Sequence, residues 1–497
     1  MGGGASSNYS APAGPKKSAA GADAAGGQAT EKQHKAKPST VNKIDVEARE
    51  TWAAPRKVGA GQASLSGHGL VLAADVGGTN SRFMLYRVDL RDAVKLKHQA
   101  PGELLIVKKY ANIKFADFAL VLGEFLADAR TAGNLGDEEV PDVACFAVAG
   151  VAQQNRSRLT NLDWLIDGPE LMEEFRIPVI EIINDFVAQG YGVLTLNDSE
   201  VIHLSGHAPV PLAPVACVGA GTGLGQCFLT AGPSGEYQAF PSEGGHAEFA
   251  PRGAGNDETQ LELLRYLKVK FSGWNRISFE RVVSGKGICN VYEFMAYNNP
   301  KKISREVHSA FVASPGDAGV IASNVDKCNL CKEALTIFAG CYGSVCGTFA
   351  LQVMPFGGLY ISGGVTQKLQ KFLSEDSTFL DAYYDKGRVS PFLKDIPLFF
   401  VKGDDMGQRG AHLRAVRLLH HQRQGVQPVV ESNPDRPVNL APPRSSALAD
   451  FLRTGFEDDE EVEESAIVHG VSKASLREKN RERSSNAILK ANYTDIH

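Results

Sequence analysis

Residues 70–88, LVLAADVGGTNSRFMLYRV, set two apolar runs on either side of the hexapeptide DVGGTN at 75–80. LVLAADV reads as a buried strand, and SRFMLYRV, rich in aromatic and branched residues, as a second. Glycine permits positive φ and lets backbone N–H groups approach an anion with no Cβ in the way. Yet GG and GT also make plain hairpin turns, so the hexapeptide alone supports only a turn. The same arrangement returns at GAGTGLG, 219–225, inside PVACVGAGTGLGQCFLTA. Neither turn has the lysine of a Walker loop, and neither opens a helix in the Rossmann manner, because strand-like sequence follows. Two such turns, each fed by a buried strand, suit a grip on a polyphosphate from both sides. Asp75, ending its strand, suits a magnesium ion held through water.

Working outward, FADFALVLGEFLADART (115–131) has helical spacing and VACFAVAGV (143–151) reads as a buried strand. PVIEIIN (178–184) is a strand and FVAQGYGVL (186–194) a helix. Helices dominate beyond residue 255, at 257–271 and 332–353, before a last strand GLYISGGV (358–365) and a helix GAHLRAVRLLHH (410–421). Strands alternating with helices define an α/β protein. The 497 residues, 43% hydrophobic, point to more than one domain, since single cores stop growing near 250–300 residues.

A net charge of -5 without a basic field argues against nucleic acid as main partner. The eight cysteines sit in apolar contexts and read as buried free thiols of a reducing compartment. No run of about 18 apolar residues is present, so no transmembrane helix is expected, and the N-terminus lacks the apolar core of a secretory signal. The expectation is a cytoplasmic protein. Residues 1–64, rich in Gly, Ala, Ser and Lys, read as a disordered low-complexity segment. Its MGGGAS start fits N-myristoylation of Gly2, which would give weak membrane association; a glycine-rich flexible start and an organelle transit peptide are the alternatives. Residues 423–497, with the run EDDEEVEE, read as a solvated acidic tail.

Several side chains have an ordinary reading beside a functional one. Asp185, following the strand PVIEIIN, is an N-cap or a carboxylate at the carboxyl end of a strand, where α/β folds bind ligands. His246 is a structural histidine or a polar group beside Glu243, and Glu280 pairs with Arg281 or faces a ligand. Cys328, Cys331, Cys341 and Cys346 invite a zinc reading, but the last two lie in an apolar helical stretch on diverging faces.

DVGGTNSR, LTNLDW, IEIINDF, GAGTGLG, SEGGH, SFERVVSGKGI and ISGGV occur in the order found in bacterial-type glucokinases. From about residue 68 to about residue 420 the chain resembles that family, within the hexokinase, actin and Hsp70 superfamily. The resemblance implies a two-lobed actin-like ATPase (ribonuclease H-like) fold with a sugar cleft between the lobes. A smaller lobe would span 65–190, completed by 403–422, and a larger lobe 191–402. It further implies transfer of the γ-phosphoryl group of Mg-ATP to the 6-hydroxyl of glucose, with Asp185 as general base. Asn161, Asn184, Asp185, Glu243, His246 and Glu280 are the implied sugar contacts. Asp75, Gly77, Gly78, Thr79, Asn80, Gly221, Thr222 and Gly223 are the implied nucleotide contacts, with Gly363 and Gly364 under the adenosine and Mg2+ held at Asp75 through water. A homodimer is implied as well.

A related repressor and sugar-kinase family carries zinc in a cysteine cluster after its GGH motif; here AEFAPRGAG follows, without cysteine. A non-catalytic glucose sensor on the same fold would have no need of Asp185, which is intact. A broader-specificity hexokinase stays open, as does ADP or polyphosphate as donor, whereas SEGGH and LTNLDW speak against an acid or glycerol kinase.

Overall fold

A computed structural model of the chain describes residues 67–91, 100–159, 162–253, 257–271 and 276–425. The expectations for residues 1–64, for Asn161 and for the tail beyond 425 lie outside the described residues.

Strands β1 (His68–Val76) and β2 (Asn80–Asp89) form an antiparallel hairpin that closes at Val76↔Ser81, so DVGGTN is its turn. β3 (Glu103–Ala111) pairs with the outer side of β2, and β4 (Val143–Val148) runs parallel to β1. Next, β5 (Ala152–Gln153), β6 (Arg156–Leu159) and β7 (Trp164–Asp167) form a small antiparallel sheet of their own. β8 (Val179–Asn184) then joins β4 in parallel, giving the order β3-β2-β1-β4-β8. β4 is buried at every residue and β1 at nearly every one, as strands covered on both faces require.

The second sheet repeats this plan. β9 (Val201–His203), β10 (Val215–Ala220), β11 (Leu224–Ala231), β12 (Tyr237–Ser242), β13 (Leu359–Ser362) and β14 (Leu398–Val401) stand in the order β12-β11-β10-β13-β14-β9. Again a hairpin, β10–β11, closes on a glycine turn, and its first strand takes a later parallel neighbour, β13. Both glycine turns therefore sit at the carboxyl ends of their parallel strands, where the crossover geometry leaves a crevice.

The helix Met406–Arg423 leaves the second sheet and packs on β1, β4 and the helix Asp185–Val193. A Cβ on its Gly410 would fall 1.7 Å from the Ala188 carbonyl oxygen, so the two helices cross in backbone contact. It starts four residues before, and ends two after, the apolar stretch legible at 410–421. Its first turn carries Gln408 and Arg409, whose polar side chains are used below.

One helix bears on the expectation of no transmembrane span. The helix Asn329–Val353 is long and apolar enough to cross a membrane by length and composition. Glycine, serine, threonine and tyrosine interrupt it, so no unbroken apolar run shows in the sequence. Most of it is buried against the second sheet and its helices, as a core helix is. All eight cysteines are free and buried.

Candidate active site

The first turn is held from beneath by a residue that sequence reading missed. Asn112, buried after β3, donates Nδ2 to the Gly77 carbonyl at 2.8 Å and its own N–H to the Thr79 carbonyl at 2.9 Å. Its Oδ1 accepts from Ser81 Oγ at 2.8 Å. With the Gly77 carbonyl drawn toward Asn112, the trans peptide directs the Gly78 N–H the opposite way. A lone asparagine in YANIKF carries no signal of this role, because the bonds form only when β2 and β3 pair.

Of the two uses glycine offered these turns, positive φ is not the one taken. None of Gly77, Gly78, Gly219, Gly221, Gly223 and Gly225 has positive φ; in the late ISGGV motif Gly363 does, at 96°. What matters is the absent Cβ. Gly219 and Gly225 pair across the β10–β11 hairpin and receive the ring of Phe186. A Cβ at Gly225 would stand 1.9 Å from that ring, and one at Gly219 2.8 Å from it. Gly223 lies against Glu280, whose Oε2 accepts the Leu224 N–H at 3.1 Å. Gly221 and Gly364, by contrast, have no heavy atom within 4 Å of where a Cβ would be. Two glycines thus serve packing, one serves Glu280, and two leave open backbone.

That open backbone borders a cavity of about 330 Å³, lined by Gly221, Thr222 and Gly364 with Lys286, Asp317 and Lys368. Gly285 N–H donates to the Gly221 carbonyl at 2.9 Å, and Ser284 caps the helix Gly285–Asn298 through Gly287 N–H at 2.9 Å. Lys286 therefore opens a helix at the second turn. Its SGKG context was visible in SFERVVSGKGI, but nothing there tells which way the lysine faces. Below the turn, Tyr342 Oη accepts the Ala220 N–H at 3.1 Å and shares a 2.8 Å hydrogen bond with Thr366 Oγ1, fixing the end of β10.

Asp185 opens the helix that follows β8, but it is not the cap. Asn184 Oδ1 accepts from Phe186 and Val187 N–H at 2.9 and 3.3 Å, and Asn184 Nδ2 donates to the Gly150 carbonyl at 3.0 Å. Asp185 accepts only the N–H of Phe186, at 2.9 Å, among the described bonds. Burial pushes its carboxyl up to about 7, helped by the negative charges of Asp75 and Glu243 and opposed by the Phe186 N–H. Asp75, at the end of β1, is raised as well, by burial, against the hydrogen bond from Gln408 and the charge of Arg82.

The SEGGH segment folds back on β11. Gly244 and Gly245 press against Gln226 and the Leu224 carbonyl, where a Cβ would lie 2.0 and 1.9 Å away. That places Glu243 close enough to act on Asp185, with His246 Nε2 3.9 Å from Glu243 Oε2; both side chains are more than half exposed. Asp75, Asp185 and Glu243 thus converge electrostatically. Glu280 meets the second glycine turn, and Asn161 lies outside the described residues. Magnesium takes one or two carboxylates plus waters and phosphate oxygens, and Asp75 with Asp185 nearby fits that donor set.

Two sheets of matching order, each ending in a glycine hairpin beside strand-end carboxylates, define the two-lobed actin-like ATPase fold of the sugar kinases. The family model described as Glucokinase matches residues 72–418. A glucokinase of Nostoc sp. is 37% identical over 361 residues, covering 70% of this chain and 99% of its own. One from Yersinia enterocolitica is 31% identical over 340 residues, covering 68% and 94%. The solved glucokinase from an Antarctic psychrotroph aligns with a TM-score of 0.57 at 27% identity, over 70% of this chain and 99% of that one. The glucokinase from Balamuthia mandrillaris, solved in complex with glucose, shares the fold at a TM-score of 0.57 and 24% identity, over 71% and 95%. The chain belongs to the glucokinase family.

Proposed function

We propose that this chain transfers the γ-phosphoryl group of ATP to the 6-hydroxyl of glucose, with Asp185 as general base. The observation that carries the reading is Asp185 itself: a half-buried carboxylate released from capping by Asn184, near enough to Asp75 at the first glycine turn to feel its charge, and followed by Phe186, whose ring packs on Gly219 and Gly225 of the second. A sugar hydroxyl is too weak an acid to ionise beforehand. Asp185 orients it and takes its proton as the new O–P bond forms, while the bond from phosphorus to the bridging oxygen of ADP breaks.

Magnesium, held by Asp75 through water, would neutralise charge on the phosphates. Gly78, Thr79 and Asn80 on one side, and Gly221 and Thr222 on the other, would offer N–H and hydroxyl donors to the phosphates, with Lys286 adding positive charge. Gly363 and Gly364 would lie under the adenosine. Glu243, His246, Glu280, Asn184 and Asn161 would bond the sugar hydroxyls. A sugar lacking one of those hydroxyls leaves an acceptor unpaired, which is the source of discrimination.

The lobes we assign, 65–190 with 403–422 and 191–402, are joined by two crossings. Arg409 ties them, donating Nε to Thr195 Oγ1 at 2.8 Å, Nη2 to the Thr195 carbonyl at 2.7 Å and Nη1 to Glu200 Oε1 at 2.5 Å. Closure about these crossings would exclude water, which competes with glucose for the phosphoryl group. Cytoplasmic residence and a homodimer complete the reading on family grounds.

The test is coupled ADP release across glucose, mannose, fructose and glucosamine. Turnover with glucose at the highest kcat/KM supports the proposal; glucose binding without ADP release would make the chain a sensor instead. The pH profile adds a second check. Because Asp185 must be ionised to act and is raised to about 7, kcat/KM is expected to fall tenfold per pH unit below that value and to level off above it. A profile flat between pH 5.5 and 8 would be incompatible with Asp185 as the base.

A further inference from the structure

The hairpin register sets Asp75 directly opposite Arg82, on one face of the β1–β2 pair. An ion pair is the contact such a register favours. The guanidinium instead donates Nη1 to Oε1 of Gln408, at 3.0 Å, across 326 residues of chain. A guanidinium only donates, so this bond fixes the orientation of the amide: its oxygen faces Arg82 and its Nε2 hydrogens face the other neighbour. That side is where Asp75 lies, and the Gln408 amide favours the charged form of its carboxyl. Gly407, just before it, leaves the carboxylate room, since even a Cβ there would stand 3.8 Å from both Asp75 oxygens.

We propose that Gln408 is the positioning residue for Asp75: Arg82 orients the amide, and the amide holds the carboxylate in one rotamer with its negative charge unspent. This rests on the reading of Asp75 as the magnesium anchor. The choice of side chain follows from the geometry. Direct pairing with Arg82 would commit the Asp75 charge, whereas a neutral amide supplies one hydrogen bond and leaves oxygen lone pairs for metal-bound water. Glutamate at 408 would turn an acceptor toward Asp75, and leucine would leave both Asp75 and Arg82 without this partner. Outer-shell groups that orient a metal ligand change metal affinity or activity about 10–100-fold when removed.

The experiment is calorimetric titration of the full chain with ATP at fixed Mg2+ concentrations, without sugar, for wild type, Gln408→Leu, the near-isosteric Gln408→Glu and Asp75→Asn. Mg2+ dependence of glucose-driven ADP release, glucose KM and the melting temperature accompany it. Both Gln408 variants are expected to need about 10–100-fold more Mg2+ for half-maximal ATP binding, with glucose KM unchanged. An unchanged Mg2+ requirement in folded Gln408→Glu, alongside a shifted one in Asp75→Asn, would overturn the positioning role alone. If Asp75→Asn leaves the Mg2+ requirement untouched, the metal reading itself falls, and the role of Gln408 with it.

Discussion

Asp185→Asn is expected to lower kcat by about 10²–10⁴-fold, the range for loss of a general base, while glucose binding persists. Asparagine preserves the shape and can still accept the Phe186 N–H, and the helix keeps its cap because Asn184 supplies it. The loss should therefore fall on kcat, not on folding. Steady-state kinetics with glucose decides it: a variant retaining wild-type kcat would remove Asp185 from the mechanism.

The same substitution carries a stability signature of known sign. A carboxyl raised in the folded state binds its proton more tightly there than in the unfolded chain. Its stabilising contribution is full below the ordinary carboxylate value and is lost as pH rises through about 7. The asparagine variant has no ionisation to lose, so it should gain on wild type in melting temperature between pH 5 and pH 8. Equal changes in both proteins over that range would mean that the site does not hold Asp185 against ionisation.

Arg414→Met is expected to be strongly destabilising, although it lies outside the site. Arg414, on the helix Met406–Arg423, bonds Glu181 of β8 in bidentate fashion, Nε to Oε2 at 2.6 Å and Nη2 to Oε1 at 2.8 Å. The side chains are only 16% and 14% exposed. Such pairs are strong in geometry but cost much to desolvate, so their removal matters chiefly for the charge left behind. Stranding Glu181 should cost about 3–5 kcal/mol, seen as a lower midpoint in urea at an unchanged slope. Arg414→Met with Glu181→Leu replaces both charges by apolar groups and should recover most of the loss. A double variant as unstable as the single one would show that packing of the arginine stem, not the orphaned carboxylate, sets the cost. Because β8 ends in Asn184 and precedes Asp185, this ion pair also anchors the strand that leads into Asp185.

The two hairpins and the buried parallel strands were legible because their apolar runs have the right length, and the long core helix because its apolar residues recur at helical spacing. The motif order from DVGGTN to ISGGV was enough to identify the family. Local chemistry was less legible. Asp185 and Asn184 compete for the cap position in any reading of INDF, and only the fold shows Asn184 taking it. That glycine here permits positive φ or spares a Cβ was a local reading, and it could not say which of the two is used, because the demand is not local. Phe186 reaches Gly219 and Gly225 from another element, and Glu280 reaches Gly223 from a third.

What the sequence by itself determined is the alternation of strands and helices, the two glycine hairpins and the family to which their order belongs. These depend on spacing between near neighbours, which the chain displays directly. Only the tertiary structure decided that Asn112 braces the first turn, that Lys286 borders the second, and that Gln408 stands between Arg82 and Asp75. Each of these is a polar side chain whose role depends on a donor or acceptor brought to it from elsewhere in the chain. A hydrogen bond needs its partner within about 3 Å and correctly aimed, and neither condition is written in residue spacing.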